Sequence, residues 1–220
     1  AAVPILTACR ARYPGIRLRL VEVYSGFVRE WLLSGRLDIG ILFGDEKEPG
    51  IDKQALLDDR LMLITTPSQR PRRKRVSLRQ LAGVPLVLPG RDHGLRRIVD
   101  QACLPLGIEL DVVAEIEALG SVKKAVESGV GGTILPMGSV GEELSAGRLH
   151  ATDIAEASMR RRVVSAVSTA RPATAAGRAV LALIVDVLRQ MVARGEWPAR
   201  WVGPPADPAA AEGPRSGAGP

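Results

Sequence analysis

The segment 84–102, VPLVLPGRDHGLRRIVDQA, constrains the fold more than any other part of the chain. An apolar strand runs into a Pro-Gly break, and an Arg-bearing helix begins directly after it. Such a junction leaves backbone N–H groups and the positive end of the helix dipole facing the loop. Because anions bind at junctions of this kind, the segment predicts an α/β protein that binds a ligand rather than one that catalyses a reaction.

The same alternation of strand and helix recurs along the chain. Residues 37–43 (LDIGILF) form the short apolar run that is typical of a buried parallel strand, and an amphipathic helix is predicted over 27–34. A strand over 16–22 completes a strand-helix-strand unit, the building block of a parallel α/β sheet. The remaining pattern predicts helices over 3–13, 77–82, 95–106, 119–128, 138–146 and 175–193, and strands over 60–66, 85–88, 110–115, 149–151 and 162–169.

The length and the charge narrow the class of protein. The 220 residues suffice for one large domain or for two lobes of about 100 residues each. The net charge of +6 is concentrated in two basic runs, 70–75 and 160–162. Neither run contains the aromatic side chains that stack on nucleic-acid bases, so we interpret both as solvated loop and strand-edge charge.

The two cysteines and the lack of long apolar runs indicate a compartment. Cys9 and Cys103 fall in different predicted helices, which argues against a disulfide framework and favours a reducing compartment, the cytoplasm. No apolar run approaches the roughly 20 residues that cross a bilayer, and no signal-peptide pattern opens the sequence, so no membrane partner is expected.

Catalytic constellations are missing from the sequence. His93 and His150 lie far apart, no HExxH or CxxC spacing occurs, and no nucleophile has a base beside it. Asp38 and the pair Asp58 and Asp59 are interpreted as strand-end and turn acids. We therefore expect no enzymatic activity, no metal and no cofactor.

The order of five segments resembles the effector-binding domain of LysR-type transcriptional regulators. These segments are RARYPGIRLRLVE (10–22), LLSGRLDIGIL (32–42), LPGRDHGLRR (88–97), AVESGVGGTILP (125–136) and the amphipathic helix over 175–193. The match extends over about residues 1–193. The His-Gly-Leu-Arg loop is similar to the corresponding loop in the branch of the family that contains nitrogen assimilation control proteins and their relatives.

The resemblance implies an α/β fold with two Rossmann-like lobes, the type II periplasmic-binding-protein fold, joined by two crossover strands at 63–67 and 167–171. Lobe I would comprise residues 1–66 and 170–202, and lobe II residues 67–169. The tail 203–220 is rich in Gly, Pro and Ala, which predicts no packed structure. Compared with the family, the sequence begins after the first strand of lobe I and after the winged helix-turn-helix domain.

In the family, a small effector binds in the cleft between the lobes. Each candidate has a structural alternative: Ser25 as a plain helix cap, Phe43 as core, His93 as a solvated loop residue, and Thr133 in a tight turn. Arg96 and His93 are the sharper candidates, because they suit a carboxylate or another anion. The full set of candidate effector-binding residues is Ser25, Gly26, Phe43, Gly90, His93, Gly94, Arg96, Ser121, Thr133 and Pro136.

We therefore expect the effector-sensing and oligomerisation domain of a bacterial regulator. Its partners would be a small, anionic effector, a second copy of the chain in a homodimer or a tetramer, and DNA only through a helix-turn-helix domain. Exposed apolar positions on the helices over 3–13 and 119–128 are the candidate dimer face. The alternative is a solute-binding protein of a transport system with the same fold, and an enzyme on this fold is the third possibility.

Overall fold

One long strand, β2 (Ile51–Thr65), runs through both halves of the molecule. In the computed structural model, which describes residues 1–23 and 25–205 without the side chain of Ser25, residues 51–60 of β2 pair antiparallel with β8 (Arg160–Ser168). Beyond them, residues 61–65 pair antiparallel with β6 (Thr133–Pro136) and β7 (His150–Ile154). The sequence prediction of a strand over 60–66 found only the second half, because residues 51–59 (IDKQALLDD) mix charged and apolar positions.

Lobe I lies on both faces of the first half of β2. One face packs against α1 and the long helix α7, and the other face packs against α2, so two apolar clusters flank the strands. A short strand follows α7 and pairs with the edge of β2 opposite β8. The elements of this lobe are α1 (Ala2–Arg12), α2 (Ser25–Ser34), β1 (Gly40–Phe43), α7 (Ala175–Ala193) and β9 (Ala199–Trp201), together with the first half of β2 and with β8.

Lobe II is built around the second half of β2. A single apolar cluster, drawn from residues between Leu61 and Met159, forms its core. The parallel pair of β4 and β5 joins this sheet through the bridge between Leu86 and Gly132. Its elements are β3 (Arg75–Val76), α3 (Leu78–Leu81), β4 (Leu86–Leu88), α4 (Gly94–Cys103), β5 (Val112–Glu115), α5 (Leu119–Glu127) and α6 (Gly141–Ser145), with β6 and β7.

The fold class is the one predicted, and the helices agree with the sequence pattern, but one predicted strand is wrong. No described strand pairs with residues 16–22, so they form no ladder; Ile16 and Leu18 instead pack against the cluster beneath α1 and α7. β1 also begins at Gly40 rather than at 37, because the amide of Leu37 still bonds to the carbonyl of Trp31 in α2. The described sheet is consequently mostly antiparallel, not parallel, since β2 and β8 cross between the lobes as one antiparallel pair.

The pairing register places the crossovers earlier than the resemblance suggested. β2 exchanges β8 for β6 and β7 at Arg60 and Leu61, and β8 begins at Arg160, whereas Val167 pairs with Asp52 deep inside lobe I. The crossovers therefore lie at 60–61 and 159–160 and not at 63–67 and 167–171. The lobe limits at 66 and 169 stay a prediction, and the register favours limits several residues earlier.

Two further expectations concern the chain end and membranes. Gly203, assigned to an unpacked tail, still donates its amide to the carbonyl of Leu56 at 2.9 Å, while residues 206–220 of that tail lie outside the described part. Within residues 1–23 and 25–205, no helix combines the length and the apolar character needed to cross a bilayer.

Candidate functional site

Three side chains converge where the crossover strands leave lobe I. Phe43 ends β1, and the guanidinium carbon of Arg161 lies 4.1 Å from the centre of its ring. Asp59 faces Arg161 across the β2–β8 ladder and accepts hydrogen bonds at Oδ2 from Nη2 at 2.9 Å and Nε at 3.2 Å. Both strands that join the lobes are therefore tied together by one ion pair, and an aromatic ring covers it.

Burial dominates the electrostatics of this pair. The side chain of Asp59 is 1% exposed and that of Arg161 is 12% exposed. Burial raises the pKa of the Asp59 carboxyl, and Arg161 only partly opposes the shift. Burial likewise lowers the pKa of the Arg161 guanidinium against the attraction of Asp59. Because Asp59 occupies Nε and Nη2, the remaining Nη1 is the group through which Arg161 can bind another acceptor.

Trp197, in the segment after α7, approaches the same pair from lobe I. Its indole N–H lies near Asp59 and favours the ionised carboxylate, but it lacks hydrogen-bond geometry, and both Nε1 and Asp59 Oδ1 are buried without a partner among the described residues. The indole also packs on Gly138 of lobe II, where an added Cβ would lie 3.3 Å from the ring. Trp197 therefore bridges the two lobes beside the crossover.

Lobe II contributes His93 and the N-terminus of α4, whose helix lies against β8. His93 caps α4: its Nδ1 accepts the amide of Leu95 at 3.1 Å. Since Nδ1 is the acceptor, the neutral ring carries its proton on Nε2 and presents a donor there. Burial lowers the pKa of His93; Glu117 opposes this shift, whereas Arg161 and Arg97 reinforce it. Because α4 contacts β8, His93 at its start lies on the side of lobe II that faces the crossover strands.

The loop before α4 is held by an acidic residue of the following strand-helix junction. Glu117 accepts the amide of Gly90 at 2.9 Å through Oε1, and a Cβ at Gly90 would lie only 2.7 Å from that oxygen. Glycine at this position therefore permits the close approach. The contact fixes the loop that carries His93 and Gly94, so the α4 N-terminus is set by groups from two loops of lobe II.

Arg96, a predicted effector-binding residue, bonds to groups of its own lobe. Its side chain is 4% exposed; Nε bonds to Asp100 at 2.9 and 3.1 Å, and Nη1 bonds to Glu115 at 3.0 Å and to the carbonyl of Pro89 at 3.2 Å. Burial alone would lower the pKa of Arg96, but Asp100 and Glu115 together raise it. The guanidinium therefore connects α4 to β5 and to the end of β4.

The remaining predicted residues are spread over the molecule. Thr133 is buried, and it pairs with Ile64 at the end of β6 that points away from the crossover, so the structure does not bring it to His93. Pro136 pairs with Leu61 at the crossover end of β6 but is also buried. Ser121 is exposed in the first turns of α5. Gly26 is exposed in the first turn of α2, whereas the side chain of Ser25 lies outside the described residues.

The sequence reasoning missed Arg161, Asp59 and Glu117. It assigned the basic run 160–162 to strand-edge charge and the acids at 58 and 59 to a turn. The usable signal was complementarity. Two adjacent acids directly precede the strand predicted over 60–66, and adjacent arginines stand at the start of the strand predicted over 162–169; they pair when the strands run antiparallel, as Asp58 does with Arg162 and Asp59 with Arg161. In the described ranges, no group of three or more His, Cys, Asp or Glu side chains could hold a metal ion.

Comparisons with known proteins agree with this architecture. Residues 1–189 match the model of the LysR substrate binding domain. The chain is 26% identical over 197 residues to the transcriptional regulator BbuR of Bordetella bronchiseptica, covering 88% of this chain and 60% of BbuR. It is 31% identical over 137 residues to the nitrogen assimilation regulatory protein nac of Escherichia coli, covering 61% of this chain and 43% of that protein. The chain thus spans about 60% or less of these relatives.

Solved structures show the same fold. The regulatory domain of Synechocystis CcmR in complex with 2-PG superposes with a TM-score of 0.78 at 20% identity, covering 86% of this chain and 92% of that one. The effector binding domain of QuiR in complex with shikimate gives a TM-score of 0.74 at 16% identity, covering 86% and 90% of the two chains. With two lobes, two crossover strands and a family match over nearly all of its described length, the chain belongs to the LysR substrate-binding domain family.

Proposed function

We propose that this chain is the effector-sensing part of a bacterial LysR-type transcriptional regulator and that a small anion binds where Phe43, Arg161 and His93 converge. One observation carries the proposal: lobe I, a crossover strand and lobe II each contribute one of these residues to a single site. A ligand that contacts all three stabilises one arrangement of the lobes, because it binds that arrangement more tightly.

The chemistry of the site favours a carboxylate or a similar oxyanion. Arg161 offers Nη1, His93 offers Nε2–H, and the first turn of α4 supplies the positive end of a helix dipole. The ring of Phe43 provides an apolar wall. Among the predicted residues, we retain Phe43, Gly90, His93 and Gly94 in this site, and we propose a supporting role for Arg96.

We also propose that the chain forms a homodimer, through apolar surface on α1 and α5. Val3 is 71% exposed and Leu6 is 39% exposed on α1, and Leu119 is 43% exposed at the start of α5. An antiparallel arrangement would bring α1 of one copy against α5 of the other. DNA would be contacted through a helix-turn-helix domain of the longer protein in the cytoplasm. The named relatives are regulators, which supports this role over solute transport.

The test is a calorimetric and thermal-shift screen of small carboxylates and inorganic oxyanions with the 220-residue chain. The affinity of any ligand found is then measured for two matched variants of the protein. A ligand that binds only the folded protein raises its apparent stability. His93→Asn keeps an N-cap acceptor for α4 but removes the Nε2–H donor. We expect this variant to fold normally and to lose about tenfold in affinity, equivalent to about 1.4 kcal/mol.

Arg96→Gln is the matched control. Since Arg96 bonds internally, we expect lower stability with ligand affinity retained at temperatures where the variant is folded. The opposite pattern, with affinity lost in Arg96→Gln and unchanged in His93→Asn, would contradict the proposed site.

A further inference from the structure

A second concave surface lies beside the crossover strands, and Trp197 is the one lining residue that also approaches the Asp59–Arg161 pair of the cleft. It has a volume of about 300 Å³. Its lining includes the three arginines Arg60, Arg160 and Arg200, the single acid Asp58, and the apolar side chains of Val192 and Trp197.

Strand geometry separates this groove from the cleft. Successive residues of a strand point to opposite faces of the sheet. Asp59 and Arg161 belong to the cleft group, so their neighbours Asp58, Arg60 and Arg160 project to the other face, and the ladder pairs Arg60 directly with Arg160. A ligand in the groove would therefore contact both crossover strands without occupying the cleft.

The groove carries more positive charge than its acids neutralise. Asp58 already bonds to Arg162 and Arg200. Arg60 has only a shared partner, since Asp153 lies 3.4 Å from Arg60 and 3.5 Å from Arg75. In the part of the chain that the structure describes, the side chain of Arg160 has no hydrogen bond or ion pair.

The register makes this excess of positive charge unfavourable. Like charges directly opposite each other in an antiparallel ladder destabilise the sheet, and Arg60 and Arg160 are such a pair. An anion placed between the two guanidinium groups would remove the repulsion and accept charge-assisted hydrogen bonds from both.

The apolar wall and the size specify the ligand further. Trp197 and Val192 offer contact for a hydrocarbon or aromatic body beside the arginines. A volume of about 300 Å³ lies at the lower limit of small-molecule sites. These features together fit a small organic carboxylate with an apolar body better than an inorganic ion.

We propose that this groove is a second ligand site, which binds a small apolar carboxylate between Arg60 and Arg160 with its body against Trp197. Trp197 also packs on Gly138 of lobe II, so the ligand touches both crossover strands and the residue that bridges the lobes. Occupation of the groove therefore acts on the relative position of the lobes without a ligand in the cleft.

The experiment titrates phenylacetate into the 220-residue chain and follows the indole N–H resonance of Trp197 by NMR, assigned with a Trp197→Phe variant, in parallel with calorimetry. Phenylacetamide is the neutral matched ligand, and inorganic phosphate is the anion without an apolar body. We expect phenylacetate to shift the Trp197 resonance saturably at millimolar concentration, and both other compounds to bind at least tenfold more weakly.

Three variants locate the binding. Arg160→Gln should weaken phenylacetate about tenfold without unfolding the chain, because Arg160 is an exposed residue. Arg72→Gln removes one exposed cation elsewhere and should leave binding unchanged. His93→Asn, which probes the cleft, should leave the Trp197 shift unchanged, so failure of the cleft proposal and failure of this one give different results.

Several results would overturn the second site. They are the lack of a saturable Trp197 shift, equal binding of phenylacetate and phenylacetamide, unchanged affinity in Arg160→Gln, or a loss in Arg72→Gln as large as that in Arg160→Gln. A loss of phenylacetate binding in His93→Asn would assign the ligand to the cleft and equally overturn it.

Discussion

The ion pair between Asp59 and Arg161 should stabilise the protein mainly because each partner makes burial of the other tolerable. Asp59→Asn keeps the size of the side chain and removes its charge, which leaves the guanidinium of Arg161 buried against Phe43 without an acid. Arg161→Met removes the guanidinium and leaves the carboxylate of Asp59 buried without a cation. The double variant removes both charges and keeps an apolar contact for Phe43.

The expected magnitude follows from geometry and exposure. With ~4 Å between the charge centres and an effective dielectric constant of about 20, the attraction is about 4 kcal/mol. Arg161 is 12% exposed, so part of its charge is hydrated when Asp59 is neutral, and the loss in Asp59→Asn falls to about 2–3 kcal/mol. That is a large share of the roughly 5–15 kcal/mol that stabilises a typical domain.

The assay is urea unfolding at pH 7 of the wild type, both single variants and the double variant, followed by circular dichroism and by tryptophan fluorescence. We expect the double variant to lose less than the sum of the single losses, with a coupling free energy of about 2 kcal/mol or more. Glu196→Gln, which breaks the exposed pair with Arg194, serves as the control and should leave the midpoint unchanged.

Two results would refute the reasoning. Additive losses within about 0.5 kcal/mol would show that the two charges do not depend on each other. A midpoint for Asp59→Asn as high as that of the surface control would show that the protein hydrates Arg161 fully once its partner is neutral.

Three other predictions follow from single contacts. Because its folded pKa is lowered, His93 should contribute stability that is fully present above its ordinary pKa of about 6.5 and is lost as the pH falls below that value through the lower folded pKa. The difference between wild type and His93→Asn in pH-dependent unfolding should show this loss. Gly131→Ala should destabilise the protein by about 2 kcal/mol or more, since its Cβ would lie 2.6 Å from the carbonyl oxygen of Pro85. Gly120→Ala in α5, where the added Cβ would meet no atom within 4 Å, should instead stabilise the protein by about 0.5–1 kcal/mol. Thermal unfolding compares the two variants, and equal effects would contradict the packing. Val3→Glu should shift the chain from dimer to monomer in sedimentation, whereas Leu104→Glu, which changes an equally exposed apolar residue in lobe II, should not; identical behaviour of both variants would count against the dimer face.

Helices were the part of the fold that the sequence predicted well. The helix predicted over 175–193 has those limits in the structure, because its apolar positions recur with helical spacing and Thr174 caps its first turn. The break at Pro89 and Gly90 likewise predicted the start of α4 within a residue. These features are local, so each can be read from a short window of residues.

Strand pairing was the part that local reasoning could not supply. Residues 16–22 have a strand pattern but no described partner, whereas residues 51–59 lack a clear pattern and still form half of β2, because β8 and β9 pair with them. A strand is completed by residues that are distant in sequence, so its existence depends on the neighbour as much as on its own residues.

The candidate site divides in the same way. The sequence by itself determined that a helix begins shortly after the Pro89-Gly90 break, since proline and glycine act through local backbone geometry. Only the tertiary structure decided which arginine lies beside Phe43. Arg96 lies near His93 in sequence, yet its guanidinium bonds to Asp100 and Glu115. Arg161 is far away in sequence, yet the antiparallel crossover brings its guanidinium to the ring of Phe43. The physical reason is that a buried charged side chain must bond to the groups packed around it, and groups such as Glu115 for Arg96 and Asp59 for Arg161 come from strands distant in sequence.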